Sequence, residues 1–180
     1  LLTFLFCTGA RVGEAITLEW TDVNLQFARA VFRDTKNGDD RQVDLPPRAV
    51  AALANLPEKR EGRVFLRPAS PGQPATQPYR ATDDGPHGAY GGQVKRAWAT
   101  AIKSAGITRH LTPHHARHTW ATWHYGLHKD LMRLREDGGW HTVSMCERYA
   151  KLSPDVLRPG IAAFWGVGAE SLGWGVKSAG

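Results

Sequence analysis

Six side chains in four separated segments could together handle a phosphodiester. Arg11 lies in Thr8-Gly9-Ala10-Arg11-Val12-Gly13-Glu14, and Lys36 sits beside Asn37-Gly38. His114 and Arg117 lie in His114-His115-Ala116-Arg117-His118-Thr119, and Trp140 and Tyr149 flank the stretch that follows Gly138-Gly139. Breaking a phosphodiester needs a nucleophile, cations around the non-bridging oxygens and an acid for the departing oxygen. Arginine forks suit the oxygens and a tyrosine beside cations can be the nucleophile. A lysine near other cations can serve as the acid, and an indole N–H can only donate a hydrogen bond.

Each segment also has a plain structural reading. Arg11 fits a helix junction, with Glu14 as its cap. Lys36 fits a solvated turn, and Trp140 and Tyr149 fit a core. His114, Arg117 and His118 are spaced to share one helix face. His114 and His118 alone could suggest a zinc helix, but His115 stands where that motif needs a glutamate. A cluster of bases at a helix start opposes the usual acidic preference there, which favours a bound anion.

The elements that must position these groups read as follows. Leu1 to Cys7 is the end of a buried helix stopped near Gly9, and Arg11 to Leu18 is a second helix. Phe27 to Phe32 and Gln42 to Leu45 are strands of a hairpin turning at Asn37-Gly38. Pro46-Pro47 opens a helix through Leu56, and Val64 to Leu66 is a short strand. Arg67 to Gly92 is rich in Pro, Gly, Ser and Thr and predicts a long mobile loop. Gln93 to Ala105 is helical, with a basic face of Lys95, Arg96 and Lys103. Thr112-Pro113 predicts a helix start, with Thr112 as N-cap, running to about Tyr125. Lys129 to Glu136, Val143 to Tyr149 and a segment from Ser153-Pro154 complete the helices. The fold expected is mainly α with a small antiparallel β-sheet, an α+β class.

The chain has 180 residues, 42% of them hydrophobic, enough for one core. Lys and Arg total 23 against 17 Asp and Glu, a net charge of +6 that leans toward polyanionic partners. Cys7 and Cys146 form no CxxC pair and read as reduced thiols. No apolar run has the length of a membrane span, and the opening residues lack signal-peptide features. The chain opens in mid-pattern without a methionine, which predicts a missing N-terminal part. Residues 1–159 are expected to form one domain. Residues 160–180, Gly-rich but carrying Phe164, Trp165 and Trp174, are expected to form a tail.

Taken in order, these segments resemble the tyrosine recombinases, the phage integrases and their bacterial relatives, over about Leu1 to Pro159. The first box matches Thr8 to Glu14, the hairpin lysine Thr35-Lys36-Asn37-Gly38 and the His-x-x-Arg-His box His114 to His118. The closing segment matches Gly139-Trp140-His141-Thr142 through Glu147-Arg148-Tyr149-Ala150-Lys151-Leu152-Ser153-Pro154. The resemblance implies a catalytic domain in which Tyr149 is the nucleophile and Arg11 and Arg117 hold the phosphate. It makes Lys36 the acid and His114 a proton-transfer partner, with Trp140 completing the cradle. The family usually has histidine at position 140, an acid is common at 115, and Glu136-Asp137-Gly138 is more polar than usual. No metal or other cofactor is implied. Double-stranded DNA is the implied partner, with tetrameric self-assembly of the full-length protein, no membrane, and a bacterial or phage-encoded cytoplasmic setting. The tail after Gly160 is expected to dock on a neighbouring copy. A type IB topoisomerase-like enzyme, a catalytically silent DNA-binding module and a metal-binding module on His110, His114, His115 and His118 stand as alternatives.

Overall fold

The computed structural model describes residues 1–33, 40–56, 59–67, 76–79, 90–152 and 155–168. Eight helices and two small antiparallel sheets lie within them. Helix α1 (Leu2–Thr8) is stopped at Gly9, which takes the left-handed conformation at φ 63°. A β-carbon there would lie 2.2 Å from the Trp120 ring, so this turn needs both glycine's backbone and its lack of a side chain. Helix α2 (Val12–Thr17) begins at once. Phe4 of α1 is fully buried, packing edge-on to Phe32 and tilted on Phe65.

Strands β1 (Val23–Asn24), β2 (Arg29–Phe32) and β3 (Arg41–Asp44) form one sheet in that order. Pairing Arg29 with Asp44 and Phe32 with Arg41 sets the register. In β3, Arg41 and Val43 point inward and Gln42 and Asp44 outward, the alternation a half-buried strand requires. The expected hairpin is present, but β2 starts two residues later than its apolar run, because Ala28 has a positive φ and Phe27 is exposed. The turn with Lys36 and Asn37-Gly38 lies outside the described residues.

Helix α3 (Pro47–Ala54) starts on proline as expected. Strand β4 (Leu66–Arg67) starts at the end of the expected Val64–Leu66 strand and pairs with β5 (Gln77–Pro78), which lies inside the stretch read as one long loop. Residues 68–75 and 80–89 of that stretch lie outside the described residues. Helix α4 (Tyr90–Ser104) begins three residues before the expected Gln93.

Helix α5 (His114–His128) is the central element, lined with buried Ala116, Arg117, Trp120, Ala121, His124 and Leu127. Its first turn differs from the expected Thr112 cap. Pro113 is the N-cap residue, and the His115 ring reaches back, its Nδ1 lying 3.0 Å from both the Thr112 nitrogen and hydroxyl. Helix α6 (Leu131–Gly138) is capped by Asp130, which accepts from the Arg133 N–H, and ends at Gly139 with φ 63°. Helix α7 (Ser144–Ala150) carries Tyr149.

The last described element is helix α8 (Arg158–Trp165). It spans the boundary expected at residue 159. Pro159 occupies its first turn, where a missing N–H leaves nothing unsatisfied. Ile161, Ala162 and Trp165 are buried. The Trp165 indole donates to the Phe6 carbonyl at 3.2 Å, and Trp123 meets Phe164 and Trp165 edge-on. Two of the three aromatic anchors expected in a tail therefore pack on this chain's own α1 and α5. Trp174 and the rest of 169–180 lie outside the described residues, as do Ser153 and Pro154. No helix among the described residues is long and apolar enough to cross a membrane.

Candidate active site

The C-terminus of α6 organises the site. A helix end leaves its last carbonyls without intrahelical partners and carries partial negative charge. Here three consecutive carbonyls each take a guanidinium. Arg41 Nη1 donates to the Asp137 carbonyl, Arg117 Nη2 to that of Gly138, and Arg11 Nη2 to that of Gly139 at 3.4 Å. Arg117 also donates from Nη1 to the Gly9 carbonyl at 2.7 Å, so it bridges the ends of α1 and α6.

Glu14 is the counter-charge of this cluster. Its side chain is only 6% exposed. Its Oε1 takes the Arg11 Nη1 at 2.5 Å, and its Oε2 takes both the Arg11 backbone N–H at 2.7 Å and the Arg41 Nη2 at 2.7 Å. The Thr8 to Glu14 segment thus behaves as its spacing suggested: Glu14 caps α2 and orients the guanidinium together. Burial pushes the Glu14 carboxyl up, but Arg41, the Arg11 N–H, and the Arg11 and Arg117 charges outweigh it, leaving its pKa below the ordinary carboxylate value. Arg117 is pushed down to about 9 by burial and by Arg11 and Arg41, and stays cationic at neutral pH. Three guanidiniums around one carboxylate leave an excess of positive charge. Arg117 and Arg41 are 3% and 7% exposed, whereas the Arg11 side chain is 26% exposed, so Arg11 offers the open face of the cluster.

Trp140 packs on the buried Arg117 of this cluster. The Arg117 guanidinium carbon is 4.2 Å from the Trp140 ring centroid, and the ring stacks on Trp120 at 6.3 Å. A β-carbon on Gly138 would come within 1.8 Å of the Trp140 ring, so the glycine makes room for the indole. The polar Glu136-Asp137-Gly138 stretch has its own anchor. Asp137 Oδ2 pairs with the buried His124 Nε2 at 2.8 Å and with Arg133 Nε at 3.4 Å.

Tyr149 is 2% exposed, and its ring lies 5.6 Å from that of Trp140. Its hydroxyl oxygen is 2.8 Å from His118 Nδ1 and accepts from Arg148 Nη2 at 2.8 Å. His114, exposed at the start of α5, meets the His118 ring edge-on at 4.5 Å. Burial, then Arg117, Arg11, Arg148 and His115, lower the His114 pKa. Five of the six sequence-predicted residues, Arg11, His114, Arg117, Trp140 and Tyr149, therefore belong to one continuous set of contacts. Lys36 lies outside the described residues.

Three contributors were missed. Arg41 has a sequence signal, because it continues the inward alternation of Val43 and Leu45. His118 was placed on the right face but given no role, and Arg148 simply precedes the tyrosine. Among the described residues no three His, Cys, Asp or Glu side chains converge to hold a metal, His110, His114, His115 and His118 included.

The sequence model of the phage integrase family matches residues 1–155. The chain belongs to this family. It is 33% identical over 163 residues to a tyrosine recombinase XerD of Mycobacterium leprae, covering 88% of this chain and 49% of that protein. Its fold is similar to the crystal structure of XerA recombinase, with TM-score 0.66 and 24% identity over 89% of this chain and 54% of that one. It is also similar to the Tn1549 transposon integrase in complex with circular intermediate DNA, with TM-score 0.60 and 21% identity, covering 82% and 53% of the two chains. The chain spans about half the length of the curated relatives it matches. As a phage integrase family member it has the mainly helical fold with a small antiparallel sheet found in these solved structures.

Proposed function

We propose that this chain is the strand-cleaving part of a site-specific DNA recombinase. Tyr149 attacks the scissile phosphate, joins the DNA as a 3′-phosphotyrosyl ester and releases a 5′ hydroxyl. The 5′ hydroxyl of a recombining strand then attacks that ester, so rejoining draws on the bond already stored and needs no ATP. Arg11 and Arg117 stabilise charge on the phosphorane oxygens, and preorganised cations of this kind are usually the largest contribution to such a step. Lys36 protonates the leaving 5′ oxygen, His114 assists proton transfer, and Trp140 closes the cradle.

The observation that carries this reading is the tyrosine held beside a guanidinium cluster with more positive than negative charge. Arg11 and Arg117 are fixed on helix-end carbonyls, so the cluster is set before a phosphate arrives. Duplex DNA supplies that phosphate, and the Tn1549 integrase, similar in fold, is described in complex with DNA. On the same reading the full-length protein assembles as a tetramer on DNA in a cytoplasmic setting.

A nicked suicide substrate tests the chemistry. Full-length protein should give a covalent protein–DNA band on a denaturing gel that survives EDTA and disappears in Tyr149→Phe. Tight DNA binding without any such band would refute the reading in favour of a silent DNA-binding module.

A further inference from the structure

We infer that His118, one residue beyond the predicted Arg117, is the base that takes the phenolic proton of Tyr149 during strand cleavage. The inference rests on the phosphotyrosine reading above and assigns a step it leaves open.

All three contacts around the hydroxyl are satisfied when His118 Nδ1 is the acceptor. Arg148 can only donate, and its Nη2 lies 2.8 Å from the Tyr149 oxygen and 3.4 Å from His118 Nδ1. The Tyr149 oxygen therefore accepts from Arg148 and must send its own proton elsewhere. His118 Nδ1, 2.8 Å away, faces a donor from Arg148 and so presents a lone pair. That makes the phenol the donor and Nδ1 the acceptor, with the ring proton on Nε2. A general base within hydrogen-bond reach of the proton it removes meets the first requirement for the role. His114 lacks this contact, since its ring meets the His118 ring and not the hydroxyl.

The charge environment keeps the base ready. Burial, the neighbouring rings of His114 and His115 on α5, Arg148 on α7 and Arg117 lower the His118 pKa to about 4. The imidazole is then neutral at pH 7, with its lone pair available. As the Tyr149 oxygen forms its bond to phosphorus, the O–H pair stays on oxygen and the proton moves to Nδ1. The P–O5′ bond breaks, and the leaving oxygen takes its proton from the acid side of the site. Arg148, over the Tyr149 ring at 4.8 Å and bonded to its oxygen, steadies the developing phenolate. On rejoining, the attacking 5′ hydroxyl gives its proton to the group that protonated the leaving oxygen in cleavage, and His118 returns its proton to the tyrosine.

The test is single-turnover cleavage of a suicide substrate by the full-length protein between pH 6 and 8, with DNA binding measured in parallel. Wild type should cleave at a rate nearly independent of pH, because His118 is neutral throughout. His118→Gln keeps a hydrogen-bonding group but cannot take up the proton. It should lose about 10²- to 10⁴-fold in rate, the usual contribution of such a base, with binding retained. Its residual rate should climb about tenfold per pH unit, because the phenolic proton must then leave to hydroxide instead of to a side chain. A His118→Gln enzyme with wild-type rate and a flat profile would show that the residue only positions Tyr149. A faster His118→Ala enzyme would show that the contact restrains the tyrosine. Either result overturns the assignment. Absence of a covalent adduct in wild type would instead remove the phosphotyrosine reading, and this assignment with it.

Discussion

Replacing Arg41 by methionine tests whether the site is held together by buried charge. The Arg41 guanidinium lies 4.9 Å from the Phe32 ring centroid, and methionine puts an unbranched apolar side chain of similar reach in its place. What is lost is polar: the Nη2 bond to Glu14 at 2.7 Å and the bond from Nη1 to the Asp137 carbonyl. Hydrogen bonds with a charged partner contribute about 1.5–3 kcal/mol each. Breaking a buried ion pair from one side typically destabilises by about 3–5 kcal/mol. Two features place this case at the lower end. Glu14 keeps both bonds to Arg11, and the buried Arg41 Nε has no partner among the described residues, so its desolvation is relieved. The expected loss is about 3 kcal/mol, read as a fall of roughly 1.5 M in the urea midpoint at a slope of about 2 kcal/mol/M. The Glu14 carboxyl, held low in the folded state, contributes stability above its unfolded pKa of about 4.3 that is lost as pH falls through its folded value. Arg41→Met should shrink that contribution, so the variant's deficit is largest near neutrality and narrows in acid. A midpoint shift below about 0.5 M with an unchanged slope would refute the reasoning. It would mean that the Arg41–Glu14 pair returns no more than its own desolvation.

Three further outcomes follow from the same contacts. Gly9→Ala should lower stability by more than about 2 kcal/mol in urea titration, because a left-handed alanine and a clash with the Trp120 ring coincide. Sulfate should raise the thermal midpoint by binding the guanidinium cluster, by RT ln(1 + [L]/Kd), and Arg117→Met should abolish that dependence. Stability should fall as pH drops from about 6.5 toward 4, because His118 and His128 are both held near 4 against an unfolded value of about 6.5. Groups with depressed folded pKa values stabilise above the unfolded pKa and lose that contribution on the way down, and His128→Asn should flatten the slope in a pH series of melts.

The parts of the site that were legible are those whose signals are local. Gly9, Arg11 and Glu14 lie within six residues, so a cap and an orienting carboxylate could be read from spacing alone. His114, Arg117 and His118 were legible as one helix face because helical periodicity is short-range. The Tyr149–His118 contact was not, since it joins residues 31 apart and depends on how α7 lies against α5. A helix was expected from Ser153-Pro154, but its run past Gly160 was read as a tail because Arg158-Pro159-Gly160 has loop-like composition, whereas the stability of α8 comes from buried Ile161 and Trp165. Tertiary burial overrode local composition there. Arg41 was missed for the opposite reason: its inward register was visible, but a charged residue on the core side of a strand reads as unfavourable until its carboxylate partner is known.

Three arginines from three elements, β3, α5 and the start of α2, converge on consecutive carbonyls at one helix end. This arrangement explains how so much like charge is tolerated. A cluster of guanidiniums repels itself, and one carboxylate does not balance three. The α6 terminus supplies the difference with fixed dipoles, which also set the direction of each fork. It further requires that the chain turn sharply just where the carbonyls are used. Gly139, at φ 63°, makes that turn, and a β-carbon there would sit 2.8 Å from Arg41 Cδ. The polar residues before it belong to the same device, because Asp137 fastens the helix end to His124 of α5 through its side chain while its carbonyl holds Arg41. The Glu136-Asp137-Gly138 stretch, more polar than is usual in the family, is the support on which the arginines rest. Its polarity is the reason the cluster can stand preorganised before any phosphate enters.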